Sequence, residues 1–225
     1  MSERGKYIVI EGGDGTGKST QAVALDATLE LLGYDTLRVI NGDNGRFEPV
    51  QEPGGTPRAN ELRRMIKDKS IEHTPWQDVL WFTEARQSIW NEAILPALES
   101  GKHVITARSY LSTLAYQGYG EGIPLDEIEA ITRDMVGEEY MNPDFVAILA
   151  MFDEAERRQR IQGRGTDANL DTFESKPQEF QASMQDGFVQ VAKNKGIELI
   201  NASQTRARIY SELFNGVRPL LDSEA

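Results

Sequence analysis

The sequence predicts an α/β protein, a five-stranded parallel sheet flanked by helices in one domain. Three observations carry this expectation. Short apolar, β-branched runs alternate with longer helical patterns along the whole chain, the order that puts crossover helices between parallel strands. One of those runs, Phe145 to Met151, is nearly all apolar, as in a strand buried on both faces. A glycine-rich turn, Gly12 to Ser19, stands between the first strand and the first helix. The 225 residues contain no linker-like tract and no repeat of fixed period, so residues 1–225 are read as a single domain, large enough to fold without staples.

The elements follow in order. Tyr7 to Ile10 reads as the first strand, Lys18 to Leu32 as the first helix and Thr36 to Ile40 as the second strand. Asn41 to Gln51 is polar, with two glycines and a proline, and reads as a loop or insertion. A helix carrying Arg63 and Arg64 comes next. Pro75 to Leu98 is predicted as one long helix, with Thr74 as N-cap, Pro75 in the first turn and Gly101 just beyond the end. His103 to Thr106, Phe145 to Met151 and Ile197 to Ile200 supply the remaining strands. Further helices are expected over Asp126 to Met135, Glu154 to Gln162, Gln178 to Lys193 and Arg206 to Leu221.

Composition excludes several function classes. The chain has no cysteine, which removes disulfide scaffolds, zinc–thiolate sites and thiol nucleophiles, and its two histidines are too few for a His-rich metal site. No apolar run approaches the roughly 18 residues of a membrane span. The N-terminus has no signal-peptide apolar core, and a cytoplasmic location is expected. The net charge of −12 argues against broad nucleic-acid binding, which needs a basic face. A few arginines converging locally on a small anion remain compatible with it.

The chemistry starts at G-G-D-G-T-G-K-S, which fits the phosphate-loop pattern G-x-x-x-x-G-K-[ST]. Backbone N–H groups of Gly12, Gly13, Asp14, Gly15, Thr16 and Gly17 can curl around an anion, and the helix start with Thr20 adds a favourable dipole. Lys18 faces the β- and γ-phosphates of ATP, and the Ser19 hydroxyl is the candidate ligand of Mg2+. ATPases, GTPases and small-molecule kinases all use such a loop.

Further segments narrow the choice: E-P-G-G-T (Glu52 to Thr56), F-T-E-A-R (Phe82 to Arg86), A-R-S-Y-L-S-T-L-A-Y-Q-G (Ala107 to Gly118), R-I-Q-G-R-G (Arg160 to Gly165) and L-D-T-F-E (Leu170 to Glu174). In these motifs and their order the chain resembles the thymidylate kinase family from about Tyr7 to Ser203. The resemblance implies a P-loop nucleoside monophosphate kinase fold with a mobile lid over about residues 157–174. It implies ATP-dependent phosphorylation of dTMP to dTDP, and a homodimer. Two alternatives stand beside it: a kinase for another or C5-modified pyrimidine deoxynucleoside monophosphate, and a nucleotide-binding regulator with weakened catalysis.

The resemblance also implies roles for single residues. Phe82 and Arg86, four apart on one helix face, would stack on the pyrimidine and reach its O4; taken alone, Phe82 reads as core. Thr113 and Gln117 would meet the N3–H and O4 edge, and Tyr116 would crowd the sugar C2′. Glu52 and Ser112 join the acceptor site. Arg63 and Arg108 would hold the 5′-phosphate, with Asp14 close by. Gly15 stands where human-type members have an arginine, which implies that the lid residues Arg160 and Arg164 supply the catalytic charge. Arg58, Arg64, Arg157 and Arg158 are expected to be solvated. Ala107 replaces the family's usual aspartate and should leave Arg108 less constrained; Thr172 replaces a lid arginine. Trp76, Trp81 and Trp90 on the long helix are candidates for a partner-covered face or for core.

Overall fold

The computed structural model describes residues 3–40, 51–163, 173 and 176–222. The expected insertion therefore lies outside the described residues except for Gln51, as do Arg164 and Thr172. Five strands, β1 (Tyr7–Gly12), β2 (Thr36–Val39), β3 (His103–Thr106), β4 (Phe145–Ala150) and β5 (Glu198–Asn201), form one sheet in the order β2–β3–β1–β4–β5. Every pairing is parallel. The chain leaves β1 toward one side of the sheet and later fills the other. That reversal opens a crevice at the carboxyl end of β1, where ligands bind in open α/β sheets.

Between the strands run α1 (Lys18–Leu31), α2 (Pro57–Lys67), α3 (Pro75–Ile89), α4 (Leu95–Glu99), α5 (Tyr110–Thr113), α6 (Leu125–Met135), α7 (Glu138–Met141), α8 (Glu154–Gln162), α9 (Gln178–Lys195) and α10 (Arg206–Asp222). Alternation along the strands splits the core in two, because successive side chains point to opposite faces. Tyr7, Val9, Val104 and Ile148 pack with α2, α3 and α9. Ile8, Ile10, Ile105, Ala147 and Leu149 pack with α1 and α10. Both faces are covered, which is why these strands read as continuous apolar runs. Among the described residues no helix is long and apolar enough to cross a membrane.

The predicted Pro75 to Leu98 helix begins as expected. Thr74 Oγ1 accepts the Gln77 N–H, and Gln77 Oε1 accepts the Thr74 N–H, a reciprocal cap. It is not one α-helix, however. Trp90–Ile94 forms a π turn in which the Leu95 N–H reaches back to the Trp90 carbonyl. Pro96 has no N–H to continue the regular ladder, and the widened turn just before it absorbs the break. Trp90 is core, 2% exposed and edge-on to Tyr140 at 5.5 Å, so it is unavailable to a partner. Trp76 and Trp81 are partly buried against the same cluster. A second π segment, Leu114–Gly120, and the short α7 were not anticipated; neither carries an apolar periodicity long enough to read.

The π segment Leu114–Gly120 packs against α9. A Cβ at Gly187 would lie 2.7 Å from Tyr119 Cβ and 3.0 Å from its ring. Alanine in place of a mid-helix glycine gains about 1 kcal/mol of propensity, but overpacking against a backbone-fixed Cβ costs about 1–3 kcal/mol. Gly187→Ala is therefore expected to lower stability by up to about 2 kcal/mol in urea unfolding. A stabilised variant would mean that the two helices can slide apart.

Candidate active site

The loop after β1 is shaped by close approach of the backbone. Gly12 has φ 137°, and a Cβ there would sit 2.2 Å from the Leu149 carbonyl, so the chain turns off β1 hard against β4. Thr16 Oγ1 and Lys18 Nζ both donate to the Gly13 carbonyl, at 2.8 and 2.9 Å. Lys18 is buried and lies 3.8 Å from Asp14 Oδ1. Gly17 is left-handed and α1 has no side-chain cap, so its first N–H groups face the loop's hollow. Ser19 is half-buried and Thr20 exposed on the first turn of α1.

Beside the loop, between α2, α3 and the segment from β3 to the second π turn, opens a cavity of about 80 Å3. Asp14, Arg63, Phe82, Arg86, Arg108, Ser112, Thr113, Tyr116 and Gln117 line it together with Pro53, Ile66, Lys67 and Phe173. Arg86 is buried, with all three guanidinium nitrogens engaged: Nε donates to Glu52 Oε1 (2.6 Å), Nη1 to Thr113 Oγ1 (2.7 Å) and Nη2 to the Ser109 carbonyl (2.9 Å). It also lies over the Phe82 ring at 5.6 Å. Glu52 stands behind Arg86 and is not part of the cavity wall. Burial pushes its carboxyl up, and the charge and hydrogen bond of Arg86 pull partly back. The Gln117 Nε2 is buried with no hydrogen-bond partner among the described residues.

Asp14 connects this cavity to the phosphate loop. Its Oδ1 accepts Arg108 Nη2 at 2.7 Å and its Oδ2 accepts the Tyr116 hydroxyl at 2.8 Å. Burial pushes the Tyr116 hydroxyl well up and the Asp14 charge adds to it, so this phenol donates as a neutral group. Arg108 further donates to Ser112 Oγ at 3.3 Å and lies over the Tyr116 ring at 5.8 Å. The expectation of a loosely held Arg108 is therefore wrong. Asp14 supplies the carboxylate that Ala107 lacks, and Ala107 itself is buried in the apolar cluster under α1 and α10. Arg63 Nη1 donates to the Pro53 carbonyl at 2.9 Å, at the edge of the same cavity.

The arginines of α8 are arranged differently from expectation. Arg157 is 3% exposed, not solvated. It is clamped by Glu154 at 2.7 and 2.8 Å, donates to Gln181 Oε1 at 3.3 Å, and its Nη1 is 3.5 Å from the Asp14 carbonyl. Gly15 makes this possible: at φ 88°, a Cβ there would meet the Arg157 side chain at 3.2 Å. Arg160 instead donates to the Ala202 carbonyl (3.0 Å) and to Glu156 (2.6 Å), which leaves Arg157 as the α8 arginine beside the phosphate loop. Arg158 is exposed on Glu154, and Arg58 and Arg64 are exposed on α2.

Four residues escaped the sequence reading. Glu11, fully buried at the end of β1, accepts from Ser109 N–H and Oγ and from Ser112 N–H and Oγ. Phe173 closes the cavity with its ring 5.9 Å from Phe82 and 5.7 Å from Tyr116. Tyr140 donates to Glu52 from behind, and Arg157 reaches the loop. Phe173, the one aromatic in the sequence of residues 157–174, was the one detectable signal.

A parallel sheet with a phosphate loop after β1 and an arginine-rich, aromatic-walled cavity beside it defines a P-loop nucleotide kinase. The thymidylate kinase family model matches residues 10–212. The thymidylate kinase of Pelotomaculum thermopropionicum is 31% identical over 223 residues, 98% of this chain and 96% of that protein. That of Gluconobacter oxydans is also 31% identical, over 98% of each chain. The crystal structure of thymidylate kinase from Ehrlichia chaffeensis shares the fold, with a TM-score of 0.70 at 24% identity over 96% of this chain and 99% of that one. The chain belongs to the thymidylate kinase family.

Two substitutions check this geometry. Ala107→Asp should bring no gain in kcat/KM for the acceptor, since Arg108 is already paired, and should cost about 1–3 kcal/mol in thermal unfolding for burying a polar group without a partner. A clear gain would show that Asp14 does not replace the missing carboxylate. Arg157→Ala should lower kcat by at least about tenfold, more than Arg160→Ala, because the charge beside the phosphate loop is the one lost. Equal kcat for wild type and Arg157→Ala would return the role to the other lid arginines.

Proposed function

We infer that the protein transfers the γ-phosphoryl group of ATP to the 5′-phosphate of dTMP, giving dTDP and ADP. The observation that carries the reading is the orphaned Gln117 amide in the cavity that also holds Phe82 and Arg86. A buried amide group without a partner calls for a ligand that supplies one. Thymine offers both an acceptor, O4, and a donor, N3–H, so either orientation of the amide is satisfied. The Phe82 ring offers a stacking face, and Tyr116, on the same cavity wall, is the side chain assigned to crowd a ribose 2′-hydroxyl.

The acceptor phosphate then reaches Arg63 and Arg108, whose forked donors suit phosphate oxygens. The loop N–H groups and Lys18 hold the β- and γ-phosphates of ATP, with Lys18 leaving the Gly13 carbonyl for phosphate oxygens. An acceptor phosphate oxygen attacks the γ-phosphorus in line, the β–γ bridging oxygen leaves with ADP, and no general base is needed because the attacking group is already ionised. Arg157 and the lid arginines offset the charge on the transferred group.

The donor chemistry at Ser19, a hydroxyl at the head of α1 beside Lys18, fits a Mg2+ ion that takes its other ligands from phosphate and water. Among the described residues there is no three-residue cluster of carboxylate or imidazole side chains to hold a metal without substrate. Bound there, the ion would screen the phosphate charges. A homodimeric assembly and a cytoplasmic location go with this reading on the family likeness alone.

A coupled ADP-release assay across dTMP, dUMP, dCMP and dGMP tests it. Turnover should be highest with dTMP and fall steeply for dCMP and dGMP, while dUMP trails by about 1–3 kcal/mol in kcat/KM, the scale of one methyl group. Lys18→Ala should abolish turnover and still bind dTMP in calorimetry. Preference for dUMP, dCMP or dGMP over dTMP would replace the assigned substrate, and a turnover-competent Lys18→Ala would remove the loop from the mechanism.

A further inference from the structure

Behind the cavity lies a buried phenol whose hydroxyl has one target. Tyr140, on α7, is 1% exposed and sits in an aromatic cluster with Trp90 at 5.5 Å and with Tyr7 and Tyr110, each at 6.2 Å. A phenylalanine would fill the same space in that cluster. The hydroxyl instead donates to Glu52 Oε1 at 3.1 Å, the same oxygen that accepts Arg86 Nε. Glu52 is thus held between a charged donor on the cavity side and a neutral donor on the core side. A carboxylate held by both cannot swing, and the guanidinium it pairs with keeps its plane.

We propose that Tyr140 is a positioning residue for base recognition: through Glu52 it fixes the Arg86 guanidinium in the orientation that favours an oxygen at pyrimidine C4. The proposal rests on the reading of the cavity as the dTMP site. Its physical content is a chain of three groups from core to ligand, Tyr140 to Glu52 to Arg86. Thr113 and the Ser109 carbonyl steady the far end of Arg86, so losing the phenolic hydroxyl loosens the guanidinium and does not release it. The loss falls on ligands that Arg86 reads. A C4 oxygen accepts from the guanidinium, whereas the C4 amine of cytosine cannot, so dCMP has little to lose.

The protonation of Glu52 provides a second readout. Burial already pushes its carboxyl up, and removing a hydrogen bond to the charged form pushes it further in the same direction. Glu52 must be ionised to hold Arg86. The rise in KM for dTMP on acidification should therefore begin at a higher pH in the variant than in the wild type.

The experiment is Tyr140→Phe, assayed by coupled ADP release with dTMP and dCMP across pH, with KM for ATP and the unfolding temperature as controls. For dTMP, kcat/KM is expected to fall about fivefold to tenfold through KM, with kcat within about twofold. For dCMP, kcat/KM should be unchanged, so the dTMP-to-dCMP ratio shrinks by the same factor. Equal losses on both nucleotides, a fall in kcat alone, an unchanged ratio or an unmoved acid limb would overturn the proposal. Should the variant unfold, Glu52→Gln breaks the same chain at its middle link, between Tyr140 and Arg86, and an unchanged dTMP-to-dCMP ratio there has the same consequence. A wild-type enzyme with no preference for dTMP over dCMP would instead overturn the reading of the cavity, and this proposal with it.

Discussion

The site depends on one buried charge at the end of β1. Glu11 is fully buried, and its carboxylate gathers the backbone N–H and hydroxyl groups of both Ser109 and Ser112. These bonds anchor the chain leaving β3 to the strand that leads into the phosphate loop. Burying a carboxylate is costly unless its oxygens are satisfied, so the turn has little freedom to move without exposing that cost. Everything downstream inherits the placement: Arg108 just before it, then Thr113, Tyr116 and Gln117 along the helix that follows.

A second feature is how the protein keeps several buried or half-buried cations near its site within an acidic molecule. Three arginines are held by three different carboxylates: Arg108 on Asp14, Arg86 on Glu52 and Arg157 on Glu154. Buried pairs of this kind add little net stability, because desolvation offsets the attraction. What they provide is orientation before any ligand arrives, which lowers the ordering cost of binding. The net charge of −12 gives no long-range attraction for nucleotides, so recognition rests on these local, pre-arranged donors.

The Ala107 departure leaves Arg108 paired all the same. Apolar Ala107 at the end of β3 brings no carboxylate, but the guanidinium of Arg108 is held by Asp14 on the phosphate loop, on the neighbouring strand's extension. One carboxylate then serves Arg108, Tyr116 and the vicinity of Lys18 at once. Movement of the phosphate loop and movement of the acceptor side are mechanically joined through it.

What the sequence by itself determined is whatever depends on residues near one another in the chain. The loop from Gly12 to Lys18, the strand alternation that splits Tyr7 and Val9 from Ile8 and Ile10, the Thr74 cap and the limits of β3 and α8 are all local, set by backbone freedom, side-chain period and hydrogen bonds a few residues apart. The residues gathered around the cavity were legible too, because motif order survives where packing detail does not. What only the tertiary structure decided is which way each long side chain turns. Arg157 and Arg160 lie on the same short helix, yet one reaches the phosphate loop and the other the Ala202 carbonyl, because α8 lies against Gly15 and α9 on the Arg157 side and against the chain leaving β5 on the Arg160 side. Trp90 is core and Glu52 stands behind Arg86 for the same reason. The rotation of a helix about its axis is set by contacts with chain segments far away in sequence, and no local pattern encodes it.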